Sequence, residues 1–251
     1  MNKKQLKSIV KYIRPIFKTY NKIGSAGLSI IKPFIKEDDK LILFISYGGQ
    51  KYDDSPKAIY EKMLLDSRFN NYKKVWALDN PERYPYLTST VKTDTLAYFK
   101  NALSARVWIT NSTVERGLNF TGKNNLYFDT WHGTPIKLMG SDIADGNKSF
   151  NVSSCNSTES PIDVMMAQSR YEMEIFSRTF HIPTEKFLLV GLPRNDELSN
   201  YTEDKRNEYR KKIGIPPNKK AVLYMPTFRE FTKGRDQEII AIPPLDLKKW
   251  E

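Results

Sequence analysis

The 251-residue chain has one cysteine, Cys155, and two histidines, His132 and His181. A single thiol closes no internal disulfide and suits a reducing compartment, so the fold must rest on its core. Two distant histidines and one cysteine make no zinc site. No apolar run approaches the roughly 20 residues of a membrane-spanning helix. No internal repeat is evident. Acidic residues are absent from the first 36 positions, and that absence locates the net charge of +11. Nine of the 40 basic residues lie there, leaving 31 against 29 acidic ones in the rest of the chain. A near-neutral body offers no extended basic face, which argues against nucleic acid as a partner.

The basic segment is also patterned. Leu6, Ile9, Val10, Ile13, Ile16, Phe17 and Tyr20 recur at spacings of three and four, which stacks them on one helical face. Lys3, Lys4, Lys7, Lys11, Arg14 and Lys18 take the opposite side, and Pro15 is expected to kink the helix or divide it. Residues 1–37 therefore read as a basic amphipathic element suited to an anionic membrane surface, with Ile9, Ile13 and Phe17 entering the lipid boundary. The alternative is a surface helix whose apolar face packs on its own domain. The long charged start argues against a secretory signal. The expected location is peripheral, on the cytoplasmic side of the cell membrane.

Beyond Glu37-Asp38-Asp39 the chain alternates strand and helix. The run Leu41 to Ser46 reads as a buried first strand, and Ser55-Pro56 as a cap and first turn before the stripe Ala58, Ile59, Met63, Leu64. Val75 to Leu78 is a second strand, followed by a weak strand near Val91, a helix over 94–103 and a strand over 106–110. A strand at 162–167, a helix opening at Ser169-Arg170-Tyr171 and a strand at 186–190 continue the pattern. This is the signature of an α/β fold with a doubly wound parallel sheet. The polar stretch 141–160 reads as a long loop. Residues 203–212 read as a charged helix, and Ala221 to Met225 as a fresh strand.

One short word stands out, Trp131-His132-Gly133-Thr134-Pro135. It follows the strand-like run 125–130, and Thr134-Pro135 reads as an N-cap and first helical position. His132 then occupies a strand-to-helix loop, where open α/β sheets bind ligands. A following helix N-terminus favours a neutral imidazole, ready to accept a proton, and is a place for a phosphate oxygen. The bland alternative is a hydrogen-bonded structural histidine. His181, at an expected helix end, reads as structural.

The wider context of that word resembles the CDP-glycerol glycerophosphotransferase family, enzymes that prime and polymerise wall teichoic acid. The resemblance rests on Trp131 to Lys137 followed by Gly140, on Ser46 to Gln50, on Asp54 to Tyr60, on Gly191 to Asp196 and on Leu223 to Arg229. It implies a GT-B-type transferase with two Rossmann-like domains facing across a cleft. Residues 38–195 would be the first, acceptor-side domain, 196–218 a linker, and 219–251 the beginning of the nucleotide-binding domain. On this resemblance His132 inherits the catalytic histidine. Gly133 and Thr134 would face an oxyanion through their backbone, and the loop with Gly48 and Gly49 would admit an acceptor closely. Asn111, Ser112 and Thr113 would add hydrogen bonds from the same edge. Arg194 and Arg229 read as phosphate or interdomain contacts, against the alternative of salt-bridged surface arginines. The implied donor is CDP-glycerol, or its ribitol counterpart, and the implied acceptor a lipid-linked glycerophosphate. No cofactor is required by the sequence, and Mg²⁺ would enter only on substrate phosphates. A chain carrying mainly the first domain is also compatible with a non-catalytic module that binds membrane or acceptor.

Overall fold

The computed structural model describes residues 14–122, 124–142 and 160–225. Lys3, Lys4, Lys7, Ile9, Lys11, Ile13 and Arg229 lie outside them, as do the side chains of Arg14 and Phe17 and most of the polar stretch 141–160. The chain divides into a unit over 1–199 and a smaller one over 200–251.

The larger unit is built on seven parallel strands: β1 (Asp38–Ile45), β2 (Lys73–Leu78), β3 (Thr90–Lys92), β4 (Ala105–Thr110), β5 (Leu126–Asp129), β6 (Val164–Ala167) and β7 (Phe187–Leu189). Their helices are α1 (Arg14–Ile31), α2 (Asp54–Leu65), α3 (Leu96–Ser104) and α4 (Arg170–Phe180). The order across the sheet is β3-β2-β1-β4-β5-β6-β7. The chain winds one way from β1 to β3, then restarts beside β1 with β4. The β1/β4 boundary is thus the switch point, where loops diverge and leave a crevice.

β1 shows why a continuous apolar run was needed. Successive side chains alternate between faces, and both faces are covered. Leu41, Leu43 and Ile45 pack with Tyr98, Trp108, Val114 and Tyr127, while Ile42 and Phe44 pack with Tyr60, Trp76, Leu78 and Ile109. Each large side chain buried this way contributes about 1.5–3 kcal/mol.

Small polar side chains start the helices. Thr95 accepts the N–H of Tyr98, and Ser169 that of Glu172. The α2 cap is Asp53, which accepts from Asp54 N at 2.8 Å, rather than Ser55 as the Ser-Pro pair suggested. Of the expected stripe on α2, Leu64 is exposed, and the buried residues are Asp54, Ser55, Pro56 and Tyr60. α1 docks through Leu28, which joins Leu103 and Leu118, and through Asn21 Nδ2, which donates to Gly117 O at 2.8 Å. Ile16, Tyr20, Ile23, Ile30 and Phe34 stay exposed.

Two expectations fail. No helix starts at Thr134-Pro135; the chain stays irregular to a single 3₁₀ turn at Gly140–Asp142, because the Thr134 hydroxyl donates to Glu172 Oε1 at 2.5 Å instead of capping. Residues 221–225 form no strand and are exposed, since no neighbouring strand among the described residues gives them a ladder. In the smaller unit the helix α5 (Glu203–Lys212) matches its expected bounds. It places Glu203 and Asp204 in its first turn and Arg210, Lys211 and Lys212 in its last, in accord with the helix dipole.

Candidate active site

The loops after β1, β4 and β5 meet at the switch point. The first departs from ordinary backbone at three consecutive residues: Tyr47 (φ 48°), Gly48 (φ 60°) and Gly49 (φ 94°). This turn is fully committed to its neighbours. Tyr47 N donates to Asn111 Oδ1 at 2.8 Å, Gly48 N to Ser112 Oγ at 3.0 Å, and Gly49 N to Ser46 O at 2.9 Å. A methyl on Gly49 would lie 2.6 Å from Thr93 Cγ2, so this glycine serves packing against β2 and β3. Gly48 O accepts from Arg116, whose guanidinium also pairs with Asp94 at 2.9 Å and Asp79 at 3.2 Å. Asn111 is wholly buried, Ser112 half-buried and Thr113 exposed.

His132 sits across from this turn. Its Nδ1 lies 2.6 Å from Asn111 O. A carbonyl oxygen only accepts, so Nδ1 carries the hydrogen and the neutral ring keeps its lone pair on Nε2. The tautomer is therefore set by the β4 loop, while the helix terminus expected to favour a neutral ring does not form at Thr134-Pro135. Trp131, at φ 53°, stacks on the His132 ring at 4.3 Å and anchors the loop on α4 through Phe176 at 5.4 Å and Phe180 at 4.9 Å. Its N–H donates to Asp129 Oδ1 at 2.7 Å. Burial pushes the Asp129 carboxyl up to about 8, a shift that the Trp131 N–H opposes.

The family-like word Gly191 to Asp196 delivers Arg194 to the same place. Its Nη1 donates to His132 O at 3.0 Å and to Asp54 Oδ2 at 2.6 Å. Asp54 is buried at φ 68° and also accepts from the Tyr47 hydroxyl and from Ser55 N at 2.6 Å. Burial opposes its ionisation, but the Tyr47 hydroxyl, Ser55 N–H and Arg194 outweigh burial and hold the carboxyl below its usual range. Tyr47 is pushed up to about 12 by burial and by Asp54. Gly133 has open space around it, whereas the Thr134 side chain is held by Glu172, a buried carboxylate that also accepts from Gln168 N at 2.7 Å.

His132, Asn111, Ser112, Gly48, Gly49, Gly133, Thr134 and Arg194 thus come together at one sheet edge. Sequence reasoning named the Tyr47-Gly48-Gly49 loop for close approach of an acceptor without giving the Tyr47 hydroxyl a role, and it passed over Asp54, Arg116, Asp129 and Glu172 as site residues. Asp129 carried a usable signal, an acidic residue closing an apolar strand just before Trp131. Asp54 stood only as the first residue of a family-like word, with the cap of the following helix read at Ser55. Among the described residues no group of three or more His, Cys, Asp or Glu side chains is placed to hold a metal ion.

A doubly wound parallel sheet bearing a half-buried histidine on a carboxyl-end loop fits one domain of a GT-B-type transferase. Structures of the wall teichoic acid polymerase TagF share this fold. One, with a histidine-to-alanine substitution, aligns with 99% of this chain and 62% of its own at 28% identity and a TM-score of 0.74. Another covers 94% of this chain and 60% of its own at 29% identity and a TM-score of 0.72. Residues 28–251 match the family described as CDP-Glycerol:Poly(glycerophosphate) glycerophosphotransferase, and the chain belongs to it. A teichoic acid poly(glycerol phosphate) polymerase of Staphylococcus epidermidis is 34% identical over 207 residues, 78% of this chain and 28% of that protein. A teichoic acid glycerol-phosphate transferase of Staphylococcus aureus is 30% identical over 204 residues, 76% of this chain and 50% of that protein. The chain therefore spans half or less of these two relatives.

Proposed function

We propose that the chain forms the acceptor side of a transferase that moves glycerol phosphate from CDP-glycerol to a lipid-linked glycerophosphate acceptor in teichoic acid synthesis. The observation that carries this reading is the His132 imidazole, with Nδ1 committed to Asn111 O and Nε2 left as a base. In the proposed step the acceptor hydroxyl oxygen bonds to the β-phosphorus of CDP-glycerol. The bond to the bridging oxygen breaks, CMP leaves with that electron pair, and the hydroxyl proton passes to Nε2. An alcohol ionises far above neutrality, so a positioned base contributes about 10²–10⁴-fold. The rest comes from orientation and from cations facing the phosphoryl oxygens. Arg194 is the proposed contributor from this chain.

The full-length protein with His132→Ala, assayed for CMP release from CDP-glycerol with a lipid-linked acceptor, is expected to lose at least about a hundredfold in kcat. Near-normal turnover would remove His132 from the mechanism. CDP-ribitol in the same assay is expected to be the poorer donor. The reading calls for no resident metal, and Mg²⁺ enters it only on substrate phosphates. Peripheral attachment to the cytoplasmic face of the cell membrane is part of the proposal. Its support is the exposed apolar face of α1 among lysines.

A further inference from the structure

Five residues close one ring of bonds around the proposed base. His132 Nδ1 donates to Asn111 O at 2.6 Å, and His132 O accepts from Arg194 Nη1 at 3.0 Å. Arg194 Nη1 also reaches Asp54 Oδ2 at 2.6 Å, Asp54 Oδ2 accepts from the Tyr47 hydroxyl, and Tyr47 N returns to Asn111 Oδ1 at 2.8 Å. The members come from the loops after β1, β4, β5 and β7 and from the start of α2.

We infer that Asp54 is a positioning residue for His132, acting through Arg194 on one side and Tyr47 on the other. The inference rests on the reading of His132 as the base. Within the ring Asp54 is the only anion, and its side chain alone joins two other side chains. That side chain is 2% exposed against 33% for Arg194, so the pair is shielded from water on the carboxylate side. Removing the charge leaves a guanidinium beside His132 O without its counter-ion, and such uncompensated charges reorganise their surroundings.

Backbone strain points the same way. Tyr47, Asp54 and Trp131, the residue before His132, all hold positive φ. Non-glycine residues stay in that region only where their surroundings over-determine them. Capping of α2 does not explain the arrangement, since Asp53 supplies the cap. Asp54 Oδ1 serves the helix through Ser55 N, and Oδ2 serves the ring.

The test pairs turnover with a direct view of the imidazole. In the full-length protein Asp54→Asn is expected to lower kcat about tenfold or more while KM for CDP-glycerol stays within about twofold, the pattern of a displaced base. In the ¹⁵N-histidine-labelled 251-residue chain the wild type should show a slowly exchanging Nδ1–H signal for His132, with His181 as reference, and Asp54→Asn should lose it. Tyr47→Phe removes one oxygen and should give a smaller version of both effects, which keeps the inference testable should Asp54→Asn fail to fold. Wild-type kcat in both variants, or a fall in kcat with the His132 signal intact, would overturn the inference. If His132→Ala itself turns over normally, the reading of the base falls, and the imidazole signal still decides whether Asp54 positions the ring.

Discussion

At the scale of single residues the site holds its geometry by burying ionisable groups, and this has a pH cost. Asp129 carries its proton in the folded chain up to about pH 8, whereas in the unfolded chain it ionises near about pH 4. Between those values the folded state binds the extra proton. Asp129 therefore contributes stability that is full at low pH and lost as pH rises through that window, by at most about 1.4 kcal/mol per unit. Asp129→Asn retains an acceptor for Trp131 N and removes the titration. Thermal melts from pH 5 to 8 should show a flatter profile for the variant than for the wild type, and parallel profiles would rule the assignment out. His132 was legible because its word names a loop and a base together. Asp54 and Arg194 were not legible as partners, because they lie 140 positions apart in the chain and only the sheet brings them together.

At the scale of elements, apolar runs and capping residues were reliable guides. β1, β2, β4 and α5 follow from local pattern, since a strand buried on both faces and a charged helix with complementary ends declare themselves. The misplaced helix at Thr134 shows the limit. A threonine before a proline fits an N-cap, but Glu172, 38 residues onward, claims the hydroxyl. The strand expected at 221–225 failed for a related reason, since its apolar content needed a neighbour that local pattern does not supply. On α1 it is the alternative reading, an apolar face packed on its own domain, that fails, because the residues that hold the helix there include Asn21 and Leu28, whereas Ile16 and Tyr20 stay exposed. Leu28→Ala should cost about 2–3 kcal/mol in urea unfolding by opening a cavity against Leu103 and Leu118. A loss below about 0.5 kcal/mol would mean that α1 is not anchored there.

At the scale of the whole molecule, charge and apolar surface coincide on α1 and its flanks. Ile23 and Phe34 are 67% and 85% exposed, and Lys18, Lys22, Lys32 and Lys36 share that segment. Apolar area gives depth, and each lysine adds about 1 kcal/mol near anionic headgroups. The chain should co-sediment with vesicles containing phosphatidylglycerol and much less with phosphatidylcholine alone, and Ile23→Glu should weaken the association. Equal sedimentation of the variant and the wild type would separate α1 from the membrane. The ring around His132 also bears on synthesis. Its earliest side chain is Tyr47 and its latest Arg194, so a chain emerging at about 5–20 residues per second carries the imidazole for seconds before the guanidinium arrives. The ring of bonds closes only when β7 and the turn after it are in place. An unfinished copy would hold the histidine and Asn111 without the bonds of Arg194, so closure of the ring reports that the last strand of the sheet has been reached.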